Sequence, residues 1–206
     1  MTFNNMEFVV FDVETTGLYP TKGDRIIELA AVKVKENKIV DTFDTFINPQ
    51  REIPEESQKI HNITPDMLKE APTHDEVLPN LVDFISGACL VAHNIKFDLD
   101  FVSHELSLMG RKLRQETPAV DTLKMSKKLC PYFRSHRLTY IAQSFGIRND
   151  GAHRALNDVH MTIQIFYRLI DMAYDQGYHS YEQYFKDFSV LKPSFKIHQQ
   201  NEVSLF

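Results

Sequence analysis

Cysteine is scarce in this chain. Cys89 and Cys130 are the only two in 206 residues, and without paired spacing they support neither a disulfide framework nor a zinc ribbon. No apolar run approaches the roughly 20 residues that cross a bilayer, so no membrane association is expected. The opening MTFNNMEFVVFDV lacks a basic stretch followed by a long apolar one, so it does not read as a signal peptide. A cytoplasmic protein is the expectation. Internal repeats and low-complexity blocks are missing too. An excess of positive charge is also lacking, since the net charge is −5, opposite to what phosphate contacts favour. The cations are uneven, however. Between Arg111 and Arg137 basic residues dominate, opposed only by Glu116 and Asp121, which suggests a basic rim.

The length suits one domain with a substantial core. Glu7–Val13 is a short β-rich apolar run, Arg25–Val34 a second, and Ile39–Ile47 alternates as a third strand. Two hairpin connections in succession imply an antiparallel start to a mixed sheet. After Pro49 helical signals take over. Thr64-Pro65 offers a cap before proline, and Thr73 with Glu76 matches a capping box. Ala88–Ala92 and Pro118–Asp121 read as further strands. Helices are expected over Phe97–Met109, Leu138–Phe145, Ala155–Tyr174 and Tyr181–Phe188. Strands first, then helices alternating with strands, make an α/β layer fold with a mixed sheet of about five strands flanked by helices.

Chemistry-bearing residues fall in three short strings: Asp12 and Glu14 in FDVETTG, Asp98 in AHNIKFD, and His153 with Asp158 in HRALND. On an extended strand, residues two apart face one side about 6.6 Å apart. Asp12 and Glu14 therefore share a surface while Phe11 and Val13 take the other. A lone aspartate at a helix start, as Asp98 is, usually caps, but His93-Asn94 and Phe97 beside it make the string more specific. His153 and Asp158 would lie roughly 140° apart within one helix. They reach one site if His153 precedes the helix and Asp158 sits in its second turn. An imidazole titrating near neutrality can accept a proton from water. An all-oxygen ligand set favours Mg²⁺ or Mn²⁺ over zinc.

In this order, over about Phe8 to Arg168, the three strings resemble the motifs of the DEDD-type 3′–5′ exonucleases. The likeness is nearest to the proofreading epsilon-subunit branch of bacterial DNA polymerase III. Arg at 154, where another branch of the family carries its tyrosine, puts the chain with the histidine branch. The resemblance implies a ribonuclease-H-like fold and two divalent ions, Mg²⁺ or Mn²⁺, held by Asp12, Glu14, Asp98 and Asp158, with His153 as base. It also implies release of nucleoside 5′-monophosphates from a single-stranded or frayed DNA 3′ end, in proofreading or repair. Thr15, Thr16 and Gly17 would grip the terminal nucleotide, Leu18 would press on its base, and Asn94 would approach the substrate. His61, in IHNIT, would also approach it; Asn62 stands where the family usually has glycine, and asparagine tolerates the positive φ such a turn needs. Val120-Asp121-Thr122-Leu123 matches a family string of architectural meaning. An exoribonuclease acting on RNA ends shares these motifs. A non-catalytic nucleic-acid-binding module is the reading of another class, against which all four carboxylates and the histidine stand.

Residues 1–188 are assigned to the exonuclease domain and 189–206 to an extended tail. The tail ends in Glu202-Val203-Ser204-Leu205-Phe206, which resembles the sliding-clamp binding pentapeptide of bacteria, with Glu in place of Gln and Val in place of Leu. A short segment with two apolar anchors suits docking in a hydrophobic groove.

Overall fold

The computed structural model describes residues 6–113, 117–149 and 153–189. Five strands form one sheet: β1 (Glu7–Thr15), β2 (Ile26–Lys35), β3 (Lys38–Phe46), β4 (Cys89–Ala92) and β5 (Ala119–Asp121), in the order β3-β2-β1-β4-β5. β1 runs antiparallel to β2, and β2 to β3, whereas β1–β4 and β4–β5 are parallel. The helices are α1 (Glu55–His61), α2 (Pro65–Leu68), α3 (His74–Phe84), α4 (Ile95–Leu108), α5 (Thr122–Leu129), α6 (Leu138–Ser144), α7 (Ala155–Asp175) and α8 (Tyr181–Phe188). Among the described residues no helix is long and apolar enough to cross a membrane.

The period-two pattern of β1 divides the core. Phe8 and Val10 belong to the cluster that β2, β4 and β5 build with α5 to α8, where the Phe166 ring of α7 meets Phe8 edge-on at 5.1 Å. Val9, Phe11 and Val13 belong to the opposite cluster, with α3 and α4. The same alternation puts Asp12 and Glu14 on the α7 side. β4 pairs with β1 only at Phe8–Val10, so beyond Val10 that edge of β1 has lost its strand neighbour.

Several local expectations have simple physical outcomes. Thr73 and Glu76 form the capping box of α3. Asn62 takes the left-handed conformation at φ 58° and closes α1. α5, which the sequence reading did not include, is nucleated by Asp121, whose carboxylate accepts the Leu123 N–H at 2.9 Å. α4 starts at Ile95, two residues before the expected start at Phe97, behind a left-handed Asn94 at φ 68°.

A buried ionic knot ties β2 to both α3 and α4. Arg25 grips Glu105 through two hydrogen bonds of 2.8 Å each, from Nε and Nη2, and its Nη2 also donates to His74 Nδ1 at 3.0 Å. That leaves the His74 proton on Nε2, which meets the Ile26 carbonyl at 2.9 Å. Burial lowers the His74 pKa, with Glu105 opposing, consistent with a neutral ring. Replacing one partner of such a pair strands the other. Glu105→Ala should therefore cost about 3–5 kcal/mol of stability, read as a lower urea midpoint with unchanged slope.

Candidate metal centre

β1 emerges past the start of α7 still carrying its α7-facing register, but its next two side chains on that face are carboxylates. Asp158, in the first turn of α7 rather than the expected second, completes a group with Asp12 and Glu14. One ligand oxygen from each lies within 4.8 Å of the others. Three anions this close repel, and their titration reflects it. Burial, then Asp98, Glu14 and Asp158, push the Asp12 carboxyl well above its ordinary range. Burial, then Asp158 and Glu28, raise Glu14 to about 8 against the pull of Arg154. Burial raises Asp158 to about 6, although the His153 N–H holds it back.

The donor set fits a hard divalent cation. All ligands are oxygens, and Asp158 Oδ1 is buried with no hydrogen-bond partner among the described residues. Buried acceptors are normally satisfied, and a cation would do so here.

Asp98 does not join this group. It is 2 % exposed and comes from α4, on the opposite face of the sheet. Its Oδ1 accepts the Val13 N–H at 3.2 Å, closing the β1 edge that β4 leaves open. Its charge is the largest acting on Asp12, and its carboxylate closes a strand edge besides taking its own N–H in the first turn of α4. His153 precedes α7 as expected, exposed and left-handed at φ 68°. Its N–H donates to Asp158 Oδ2 at 3.3 Å.

The turn after β1 departs from expectation in its hydroxyls. Thr15 and Thr16 are buried. Thr15 Oγ1 donates to the Gly17 carbonyl, and Thr16 Oγ1 accepts the Arg25 N–H at 3.0 Å. Both hydroxyls shape the turn itself. Gly17 has a steric reason, because a Cβ there would lie 2.4 Å from Asp24 Oδ2, which is held by the Tyr19 N–H at 3.0 Å. Leu18, by contrast, stands 66 % exposed. His61 is buried at 2 %; its Nδ1 accepts the Ile63 N–H at 3.0 Å, while Nε2 has no partner among the described residues. Burial lowers its pKa, so the neutral ring carries its proton on Nε2. Asn94 donates its N–H to Asp121 Oδ1 at 3.0 Å, and neighbouring His93 spans Thr122 Oγ1 and the His136 carbonyl.

Two residues beside the site were not in the sequence reading as site residues. Glu28 of β2 is paired directly across from Glu14, and Arg154 bonds it at 2.8 Å. A charge within the apolar run IIELAAV was the available signal, since a buried carboxylate demands a partner. The basic rim also contracts. Lys124 is engaged by the Ser189 carbonyl at 2.8 Å and Lys128 by Asp187 at 2.6 Å. Arg111 follows the far end of α4, a helix of 14 residues and thus about 20 Å long. Arg134 and Arg137 remain exposed, on the loop that His93 holds. Arg114 lies outside the described residues.

Each raised carboxyl binds its proton more tightly in the folded than in the unfolded state. Between the ordinary carboxylate range near pH 4 and about 8 the folded state thus holds extra protons. The contribution of these groups to stability falls as pH rises through that window. A divalent cation must displace those protons. Mg²⁺ or Mn²⁺ should therefore raise the melting temperature more at pH 8 than at pH 5. Asp12→Asn or Asp158→Asn should raise it without metal and abolish the metal increment. Scanning calorimetry with metal or chelator checks this; an increment independent of pH would contradict it.

Comparison with known proteins places the chain in a family. The exonuclease family model matches residues 9–166. A DNA polymerase III PolC-type protein of Caldanaerobacter subterraneus is 42 % identical over 171 residues, 83 % of this chain but 12 % of that protein. The 3′-5′ exonuclease DinG of Bacillus subtilis is 35 % identical over 180 residues, 87 % of this chain and 19 % of that protein. The chain thus spans less than a fifth of the length of these relatives. Among solved structures, Exonuclease X in complex with 5′ overhanging duplex DNA superposes with a TM-score of 0.66 at 25 % identity, covering 86 % of this chain and 96 % of that one. An E. coli ExoI–ssDNA complex shares the fold, with a TM-score of 0.72 at 19 % identity over 83 % of this chain and 43 % of that one. By its motifs over these residues and by its five-stranded α/β fold, the chain belongs to the exonuclease family.

Proposed function

We propose that this protein is a metal-dependent 3′–5′ exonuclease that releases nucleoside 5′-monophosphates from single-stranded or frayed DNA 3′ ends, in proofreading or repair in the cytoplasm. The observation that carries this reading is the Asp12–Glu14–Asp158 group with His153 tied to Asp158 by its main chain. Asp12, Glu14 and Asp158 would hold divalent cations, with Asp98, whose charge acts on Asp12, supporting a second ion. Two such ions, Mg²⁺ or Mn²⁺, would when bound supply an activated water and neutralise charge on the phosphodiester.

The chain's own residues do the rest. His153, exposed beside Asp158, takes the proton of the attacking water. Leu18 packs on the terminal base. His61 Nε2–H is a buried donor without a partner among the described residues and would serve a substrate oxygen only if the site opened to admit it. Asn94, fixed by Asp121, would approach the substrate. Arg134 and Arg137 lie on the loop beside His93 and offer charge to the strand upstream. Relatives named as a DNA polymerase III and as a 3′-5′ exonuclease favour a DNA end as the substrate.

His153→Ala should lower the rate about 10²–10⁴-fold, the range for loss of a positioned general base, with metal-induced stabilisation retained. Matched DNA and RNA single strands, labelled at the 5′ end, should be shortened from the 3′ end with DNA preferred. An unchanged rate in the alanine variant would remove His153 from the mechanism, and preference for RNA would make the enzyme an exoribonuclease.

The pentapeptide Glu202–Phe206 and the rest of 190–206 lie outside the described residues. The support for a sliding-clamp partner is the match of Ser204, Leu205 and Phe206 to the clamp-binding pattern. Tethering to a clamp would raise the local concentration of DNA ends. Calorimetry with purified bacterial clamp should show binding that disappears when Leu205 and Phe206 are deleted. Binding that survives the deletion, or none by the full chain, would refute this partner.

A further inference from the structure

Two residues that are not among the metal-ligand or base candidates, Glu28 and Arg154, fix the segment that bears His153. Glu28 is 1 % exposed and lies in β2 on the α7 side of the sheet, directly across from Glu14. Like charges placed opposite one another on neighbouring strands are unfavourable, so Glu28 needs strong partners. It takes them from the start of α7. Arg154 Nε lies 3.0 and 3.2 Å from the two Glu28 oxygens and Nη2 lies 2.8 Å from one of them. The Ala155 N–H donates to Oε2 at 3.1 Å. The Arg154 guanidinium carbon also lies 5.0 Å from the centre of the Phe46 ring in β3. The two residues after His153 are thus bound, by side chain and main chain, to the sheet that carries Asp12 and Glu14.

His153 itself adopts φ 68°, a conformation uncommon for a residue with a Cβ. Such conformations persist where the surroundings over-determine them. The Asp158 Oδ2 contact to the His153 N–H and the anchoring of Arg154 and Ala155 supply that determination.

We propose that Glu28 and Arg154 form a latch that holds the His153 main chain against Asp158, which makes both of them positioning residues for proton transfer. Arginine is required for geometric reasons, because a planar fork spans both carboxylate oxygens while lysine offers a point charge. The pair also contains the Glu28 charge, which would otherwise add to the repulsion at Glu14. The inference rests on His153 acting as the base.

Arg154→Gln should lower kcat on a single-stranded 3′ end by about 10²-fold, the scale of an ångström-level misplacement, with KM little changed. Placed in a His153→Ala background, the same substitution should cost nothing further, because both changes act through one group. Arg154→Lys should fall between wild type and Arg154→Gln, and it serves as the test if the glutamine variant does not fold. Independently of activity, ¹⁵N relaxation of metal-free protein should show a lower order parameter for the His153 amide in Arg154→Gln than in wild type. An equal cost with and without His153, or an unchanged order parameter, would overturn the latch. A silent His153→Ala would instead sink the assignment of the base, whereas a severe His153→Ala with a silent Arg154→Gln would remove the latch alone.

Discussion

Mutual repulsion among Asp12, Glu14 and Asp158, held with ligand oxygens within 4.8 Å, is the constraint around which this structure is organised. Such a group stays together only if each backbone carrying it is fixed by something stronger. β1 is fixed by its place in the sheet, paired along its length with β2 and along its first half with β4. Its alternating register then decides everything downstream. Phe8 and Val10 lie against α7 and the two carboxylates follow on the same face. The length of α7 cover sets where apolar burial ends and charge begins. A shift of one residue would send Phe11 and Val13 to the site and bury both acids.

Two ways of handling buried charge stand side by side. Glu105 is matched by Arg25, and Glu28 by Arg154, each through a forked guanidinium. Both pairs are closed, with the surrounding acceptors satisfied by backbone N–H groups of Ile26 and Ala155. Among the described residues the Asp12–Glu14–Asp158 group has no such counter-ion, and one Asp158 oxygen is without a donor. The contrast identifies the group as the place where a further positive charge belongs. It also explains why closed pairs flank it: the Arg25 main chain braces the Thr16 turn on one side, and Arg154 fixes the His153 segment on the other.

Much of this was legible in the sequence because it depended on local rules. The D-x-E spacing on a strand, the Thr73–Glu76 box, the left-handed Asn62 and the loop position of His153 each follow from neighbours within five residues. What escaped depended on contacts made across the chain. Asp98 was read from its string as a metal ligand, and its bond to the Val13 N–H, 85 positions away, could not be seen there. Glu28 was hidden in an apolar run, and Arg154, read only as a branch marker, showed its partner once α7 was seen against β2. The hydroxyls of Thr15 and Thr16 were assigned to substrate because the sequence cannot show that the turn uses them itself. The basic rim was read from composition, but two of its lysines proved to be engaged with Ser189 and Asp187 near α8. Residues 190–206, including the terminal pentapeptide, remain a matter of sequence alone.

The charge distribution bears on how such a protein handles a polyanion. Thr122 to Arg148 contains no acidic residue, yet only part of its charge is exposed beside His93. Arg134, Arg137 and the exposed Lys127, whose charge acts on His93, can neutralise few phosphates, and each phosphate contact weakens with salt. On the proposed function, grip would then come largely from the terminal nucleotide, through cations at the carboxylate group and Leu18 on the base. That balance suits removal of one nucleotide at a time, because the strand must be released and reseated after every cleavage. A continuous basic groove would hold the strand more tightly, but it would slow that step. An acidic surface with a small, metal-completed positive centre concentrates attraction at the end to be cut.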